Sequence, residues 1–210
     1  MGVTIVVPLR SALNQAGRVL VVGGTVYFAL LGGGFMLVEI GLLQRLSVFL
    51  GHPIYSLSIV LFSLILFTGA GSLLSEYVRL EASHVRLAAW SVLLGGYLLT
   101  VPHWLPSAIA SFQSSSTVVR ASLSVAIIAP AGFLMGFGFP TGMRLVHAVD
   151  ARPTPWFWGI NGGVGVLASA LAVALSIAFG IHVTLTLGAL CYLALVPAGL
   201  ALQSAADASA

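Results

Sequence analysis

Long apolar stretches alternate with short polar connections along the whole chain. A helix that crosses a hydrocarbon core needs roughly 20 apolar residues, and six stretches come close to that length: 19–43, 54–74, 85–101, 121–139, 156–179 and 181–202. Pro102 and Pro106 are expected to cut the third stretch short, because proline lacks the backbone donor of a helix. Only Gly180 divides the last two, which predicts a very tight hairpin. The pattern therefore predicts an all-α fold of six transmembrane helices.

The composition places this chain in lipid rather than in water. Charged residues make up 6% of the 210 residues, hydrophobic residues make up 59%, and the mean hydropathy is +1.10. A water-soluble domain has about 25% charged residues, so most classes of soluble enzyme are excluded. The predicted organisation is an N-terminal segment 1–18 with an interfacial helix over 8–18, a six-helix transmembrane domain 19–202, and a disordered tail 203–210.

The basic residues predict the orientation in the membrane. All of them are arginines, and only Arg45 and Arg120 fall on one side of a six-span arrangement. Those on the other side are Arg10, Arg18, Arg79, Arg86, Arg144 and Arg152. By the positive-inside rule both termini are cytoplasmic. The net charge of +3 follows from this bias, so no nucleic-acid partner is expected.

Polar residues inside the spans are the candidates for function. Glu39 is the acid placed well within an apolar stretch, where an ionised group costs about 3 kcal/mol. It is either a proton or cation site, or a protonated or hydrogen-bonded side chain that joins the first span to a neighbour, with Arg45, His52 or Arg120 as partner. Asn161 in the fifth span is expected to form an interhelical hydrogen bond or, alternatively, to contact a substrate.

The fourth span carries a second group of candidates. Gly132 and Gly136 form a small-xxx-small pair that lets two helices approach closely. Pro130 and Pro140 bend or break the helix and free backbone carbonyls, which is tolerated beside a neighbour or a cavity. Two interpretations stay open here: close helix packing, or a broken helix that lines a substrate path.

Further glycines in the fifth span predict a partner. Gly162, Gly163 and Gly165 offer more close-packing surface than six helices are expected to use internally. Besides membrane lipid, we therefore expect a second copy of the chain or another membrane subunit; the alternative is that the fourth and fifth spans use these glycines against each other. No metal or cofactor is expected, because the five histidines show no ligand spacing. Cys191 is the single cysteine, so no intrachain disulfide can form.

Two parts of the chain share a weak internal similarity at an offset of about 100 residues. Residues 34–36 precede an arginine at 45, and residues 132–134 precede an arginine at 144. The following spans open at 52–55 and 154–157 with a proline and an aromatic residue. Three spans per repeat would give the halves opposite orientation. A 3+3 inverted repeat is one interpretation; the alternative is coincidence, because glycine, phenylalanine and an arginine at a helix end are common in membrane helices.

A set of short motifs carries a resemblance to a known family. In order they are GFMLVEIGLLQR at 34–45, FLGHP at 49–53, FSL at 62–64, GFPTGMRL at 138–145 and PWFWGING at 155–162. Over roughly residues 20–200 the chain resembles the C-terminal membrane half of bacterial transmembrane spermidine synthase-like proteins. The resemblance implies a multi-pass protein of the bacterial inner membrane whose helices flank a cytoplasmic aminopropyltransferase-type domain. Neither the glycine-rich adenosyl-cofactor loop nor the catalytic acids of that domain occur in these residues, so no catalytic residue carries over.

Two functions remain as hypotheses at this point. The favoured one is a membrane scaffold or anchor that acts beside a separate enzyme or within a larger complex; the alternative is a small-solute carrier or half-carrier, for a polyamine-related compound. Catalytic activity in this chain alone is not expected. A polyamine needs several acids or an aromatic cage, and the chain offers only Glu39 inside the membrane, with Glu76 and Glu81 near its rim.

Overall fold

The computed structural model describes residues 17–208. These residues form seven α-helices and one short 3-10 helix at Leu80–Ala82, with no strand among them. The α-helices are α1 (Arg18–Leu50), α2 (Pro53–Leu74), α3 (His84–Phe112), α4 (Thr117–Met135), α5 (Gly138–Val149), α6 (Thr154–Phe179) and α7 (Ile181–Asp207).

Six of the resulting segments are long and apolar enough to cross a membrane. Five are single helices, and the sixth is the pair α4 and α5, which together cover Thr117–Val149 with a break after Met135. The all-α fold with six spans, as predicted from the apolar stretches, is confirmed.

The helices extend further than the sequence suggested. The expectation that prolines cut the third span short is wrong, since α3 continues through Pro102 and Pro106 to Phe112. In lipid, hydroxyl side chains and neighbouring helices can satisfy the backbone near a proline, and the Thr100 hydroxyl donates to Tyr97 O at 2.7 Å within this stretch. At the C-terminus α7 continues to Asp207, through most of the expected tail. The expected interfacial helix over 8–18 lies almost wholly outside the described residues.

Glycines with positive φ stand at two of the tight connections. Gly180 alone separates α6 from α7 and has a φ of 91°, so the predicted hairpin is confirmed. Gly51 ends α1 in the left-handed region at φ 76°, and its N–H donates to Ser47 O at 3.2 Å. Both conformations favour glycine, because a Cβ atom is strained at positive φ.

The first helix lies at the centre of the bundle. It packs against α6 and α7, while α3 packs against α7 and α2 packs against α4. Glycines allow these approaches: a Cβ at Gly32 would overlap the backbone carbonyl of Asn161, and one at Gly34 would crowd Cys191. Close backbone packing of this kind is a main source of helix association in lipid, where burial of apolar surface gives no drive.

The two ends of the bundle differ in their number of arginines. At the end that holds the 75–83 connection, Arg144 pairs with Glu81, and His84 lies 3.8 Å from Asp207. At the opposite end, Arg120 donates to Phe49 O at 2.9 Å. We call these the Arg144 end and the Arg45 end. Among the described arginines, those at 18, 79, 86, 144 and 152 belong to the Arg144 end, and those at 45 and 120 to the other. Arg10 lies outside the described residues.

Candidate functional site

An internal cavity of about 530 Å³ lies within the membrane-spanning part of the bundle. It is bounded by α1, α2, the break between α4 and α5, and α6, with one side chain from α7. The lining consists of Leu31, Gly32, Phe35, Met36, Thr68, Ser72, Met135, Gly136, Phe139, Pro140, Asn161, Gly162, Gly165, Val166, Ser169 and Tyr192. Its volume is within the range of roughly 300–1,000 Å³ that small-molecule sites occupy.

The break in the fourth span forms one wall of this cavity. Helix α4 ends at Met135 and α5 begins at Gly138. Side chains from other helices satisfy carbonyls beside the break: Trp90 Nε1 donates to Leu134 O at 2.8 Å, and the Tyr27 hydroxyl donates to Gly138 O at 2.9 Å. Gly136 and Phe137 keep right-handed helical dihedrals, and the Gly136 N–H still donates to Gly132 O at 3.0 Å, so the span is interrupted by a turn rather than unwound. These hydrogen bonds tie both sides of the break to other helices.

Two hydroxyl groups at the cavity have no partner. Tyr192 lines it and is 0% exposed, and neither its hydroxyl nor Thr68 Oγ1 makes a hydrogen bond within residues 17–208. A buried polar atom without a partner costs about 1–3 kcal/mol. Each such atom in a native fold calls for an explanation, for example an ordered water molecule or ion that contacts it. Tyr192 is anchored through its backbone, because its carbonyl accepts a hydrogen bond from the Ser91 hydroxyl.

The rest of the lining is uncharged and mostly apolar, with Ser72, Asn161 and Ser169 as its other polar residues. Phe35, Phe139, Met36 and Met135 supply aromatic and thioether surface, and no Asp, Glu, Lys, Arg or His is among the residues that line the cavity. An ionised ligand would therefore lose its hydration without gaining a counter-charge. The cavity suits a neutral molecule with a few hydrogen-bonding groups.

The cavity reaches the lipid-facing surface on one side. Helices α2 and α6 both line it but do not pack closely against each other. Gly162 is exposed, and Val166, which also lines the cavity, has 72% of its surface exposed. The cavity is therefore open on the side where α2 and α6 stand apart.

A charged cluster at the Arg144 end holds α5 in place. Arg144 Nε lies 2.9 Å from Glu81 Oε1, and Arg144 Nη2 donates to Ser75 O at 3.0 Å. The Nε contact is an ion pair rather than a well-directed hydrogen bond, since no acceptor meets the N–H geometry. Gln203 Nε2 donates to Glu81 O at 2.7 Å, which adds α7 to the cluster. We call this group of Ser75, Glu81, Arg144 and Gln203 the α5 clamp.

The structure does not bring the predicted charged candidates together. Glu39 is half-buried on α1, does not line the cavity, and makes no hydrogen bond or ion pair with any residue in 17–208. Two of its candidate partners make other hydrogen bonds. Arg120 donates to Phe49 O, and His52 Nδ1 accepts the backbone N–H of Ile54 at 3.3 Å. Arg45 lines a separate pocket.

Asn161 and the glycines of the fourth span contact neighbouring helices, whereas two glycines of the fifth span do not. Asn161 Nδ2 donates to Phe28 O at 3.3 Å, which is the interhelical hydrogen bond expected for it. Gly132 and Gly136 pack closely against α2, as predicted from their spacing. Gly162 and Gly163 instead have nothing within 4 Å of an added Cβ. The packing role predicted for these two is not found within residues 17–208, and the fourth-span glycines contact α2 rather than α6.

The sequence alone does not identify several residues of the site. Tyr192 sits in an apolar run and looks like an ordinary core residue; only the orphaned hydroxyl marks it. Thr68 has no motif around it. Glu81 and Arg144 are 63 residues apart in the sequence, and their pairing depends on how the spans are arranged, which no local pattern indicates.

Comparison with protein-family models, curated proteins and solved structures finds no match to this chain. The resemblance to spermidine synthase-like membrane proteins therefore stays a prediction. Within residues 17–208 no group of three or more His, Cys, Asp or Glu is placed to hold a metal ion. Fold and site together define a multi-pass helical membrane protein with an uncharged internal cavity that opens toward lipid.

Proposed function

We propose that this protein binds a small, uncharged, largely apolar molecule in the internal cavity and acts as a small-solute carrier or half-carrier. The observation that carries the proposal is the uncharged, mainly apolar lining of a cavity of ligand size, beside which the Tyr192 and Thr68 hydroxyls are buried without a partner. The ligand would offer a carbonyl, ether or hydroxyl oxygen to the polar side chains of the lining, which are Thr68, Ser72, Asn161, Ser169 and Tyr192. Its apolar part would lie against Phe35, Phe139 and the methionines.

The broken helix supports a carrier. Carriers commonly place their sites at discontinuous helices near the middle of the membrane, between two structural repeats. In a 3+3 repeat the pair α1 and α6 corresponds to the pair α4 and α2. Both pairs are in contact, and both meet at glycines: Gly32 lies against the Asn161 backbone, and Gly136 lies against the Thr68 backbone.

The chemistry of the cavity does not favour a polyamine. A polycation requires several carboxylates or an aromatic cage, and the acids at 39, 76 and 81 do not line the cavity. The proposed ligand class is therefore neutral, and aminopropyl transfer is not part of the proposal.

Photolabelling with benzophenone tests the cavity directly. This neutral aromatic ketone has one acceptor oxygen, and on irradiation it inserts preferentially near methionine. In the protein reconstituted in nanodiscs we expect saturable adducts at Met36 and Met135, which Gly162→Leu should abolish by filling the cavity. Tyr192→Phe should weaken labelling about tenfold, equivalent to about 1.4 kcal/mol. Adducts that are scattered over the lipid-facing surface and do not saturate would contradict the proposal.

Tyr97→Phe is the matched control for this experiment. The Tyr97 hydroxyl donates to Ile127 O at 2.7 Å, and Tyr97 does not line the cavity. Its removal should leave labelling unchanged. Equal loss in both tyrosine variants would show that general destabilisation, not ligand contact, explains the result.

A membrane scaffold or anchor is the second candidate function. Gly159, Gly162 and Gly163 on α6 are exposed, and an added Cβ at any of them meets nothing within 4 Å. A helix of a second subunit could pack closely there. Native mass spectrometry from mild detergent would test this: a Gly163→Leu variant should lose an associated chain. A monomer at all concentrations, without a co-purifying subunit, would eliminate the scaffold function.

We also propose that the Arg144 end faces the cytoplasm of a bacterial inner membrane. The support is the distribution of arginines between the two ends, as the positive-inside rule requires. Cysteines introduced at Ser115 and Thr154, in a Cys191→Ala background, should react from opposite sides. Equal labelling of both from the cytoplasm would refute this topology.

A further inference from the structure

We propose that a second pocket, at the Arg45 end, binds a phosphate group. This pocket has a volume of about 390 Å³ and lies between α1, α3 and the start of α7. Arg45, Gly180, Ile181 and His182 form one side of it, and the prolines and leucines of α3 and α7 form the other. It shares no lining residue with the internal cavity, so it is independent of the proposed carrier function.

Three features of different origin make this pocket attractive to an anion. The first is the Arg45 guanidinium, which makes no ion pair or hydrogen bond with any residue in the described part of the chain. The second is the exposed imidazole of His182, which can donate to a phosphate oxygen from a ring nitrogen that carries a proton. The third is the N-terminus of α7, a 27-residue helix whose first residues line the pocket.

The backbone at the start of α7 supplies free donors. The first N–H groups of any helix lack an intrahelical acceptor, and Val183 is the first residue of α7 whose N–H finds one, donating to Gly180 O at 3.1 Å. The N–H groups of Ile181 and His182 make no such bond. Together with the positive end of the helix dipole, these donors form an anion site that Arg45 completes.

The surroundings leave the positive charge uncompensated. No acid is among the residues that line this pocket. The acid closest in sequence is Glu39, six residues before Arg45 on α1, or about 9 Å along the helix axis, and it is not paired with Arg45. The simplest alternative is that Arg45 extends toward the membrane surface and contacts only water. That alternative gives no reason for His182 and the N-terminus of α7 to line the same pocket as Arg45.

A phospholipid headgroup and free phosphate offer the same chemistry, and position favours the lipid. The pocket lies at the end of the spans, and Leu105 and Leu185 give it an apolar side on which the glycerol backbone could rest. Arginine suits a phosphate because its planar fork can donate two parallel hydrogen bonds. A lipid bound here would contact α1, α3 and α7 at once and hold their ends together.

Native mass spectrometry of the delipidated full chain in a neutral detergent tests the proposal. The probes are dioleoylphosphatidylglycerol and inorganic phosphate, each titrated separately. We expect one tightly bound lipid, with an affinity that falls at least tenfold in Arg45→Gln and several-fold in His182→Gln. Arg86→Gln is the matched control, since it removes an exposed charge from the opposite end and should bind as the parent does.

The outcomes distinguish a phospholipid headgroup from free phosphate, and both of these from an Arg45 side chain that contacts only water. Binding of the lipid but not of millimolar phosphate identifies a headgroup site, whereas equal occupancy by both identifies a site for free phosphate. If Arg45→Gln fails to fold, Arg45→Lys retains the charge without the fork, and it should bind the lipid more weakly than the parent. Unchanged lipid affinity in both the Arg45 and His182 variants, or equal losses in Arg86→Gln, would overturn the proposal.

Discussion

The α5 clamp should contribute measurably to the stability of this protein. Arg144→Gln removes an ion pair with a 2.9 Å separation, together with the hydrogen bond to Ser75 O. Breaking a buried pair costs about 3–5 kcal/mol, because the remaining charge is left uncompensated. Here the Glu81 side chain is 11% exposed and that of Arg144 is 27% exposed. Arg79 Nε also lies 3.1 Å from Glu81 Oε1 and keeps part of the compensation.

The partial exposure of this pair and the second contact of Glu81 with Arg79 lower the expected loss in the free energy of unfolding to about 2–3 kcal/mol. Equilibrium unfolding in mixed detergent and SDS, followed by tryptophan fluorescence, measures it. Trp90 is a suitable reporter because its indole N–H donates to Leu134 O beside the helix break. A double-mutant cycle with Glu81→Gln should give a coupling of about 1–3 kcal/mol, whereas independent sites add within about 0.5 kcal/mol.

Arg152→Gln is the control for this experiment. It also breaks an arginine–carboxylate contact, with Arg152 Nη2 2.7 Å from Asp150 Oδ2, but the Arg152 side chain is 55% exposed. Exposed pairs contribute little because water screens them, so the unfolding midpoint should barely change. Equal midpoints for Arg144→Gln and Arg152→Gln, or additive effects in the cycle, would refute the argument that burial makes this clamp important.

Two further predictions concern packing and pH. Gly136→Ala should destabilise the protein by about 1–3 kcal/mol, because the new methyl group would overlap the Thr68 carbonyl. Gly162→Ala is the control and should not lower the unfolding midpoint, since its methyl group meets nothing within 4 Å. Equal effects of the two variants in the same SDS titration would contradict this prediction. Hydrogen bonds from Arg152 hold the pKa of Asp150 below its ordinary value, so its small stabilising effect is present at neutral pH and lost as the pH falls through that lowered pKa. NMR titration should show the pKa of this carboxyl rising in Arg152→Gln, and an unchanged pKa would refute the assignment.

The sequence determined the class of fold and the course of the chain through the membrane. An apolar run of about 20 residues predicts a transmembrane helix whatever the neighbouring segments are, because in lipid the backbone of each span must satisfy its own hydrogen bonds. Glycine at position 180 likewise predicted the hairpin, since a one-residue connection between helices requires unusual φ. Local rules failed for Pro102 and Pro106, because interactions with Ser and Thr side chains and adjacent helices decide whether a proline ends a membrane helix.

Only the tertiary structure decided where the cavity lies and what lines it. Tyr192 and Thr68 are separated by more than 120 residues, and nothing in the local pattern distinguishes an orphaned hydroxyl from one with a partner. Glu39 showed the reverse: its depth in an apolar span marked it from the sequence, yet the structure leaves it outside the cavity. In lipid, spans gain little from apolar burial itself, so glycine contacts and long-range pairs such as Glu81 with Arg144 set which helices become neighbours.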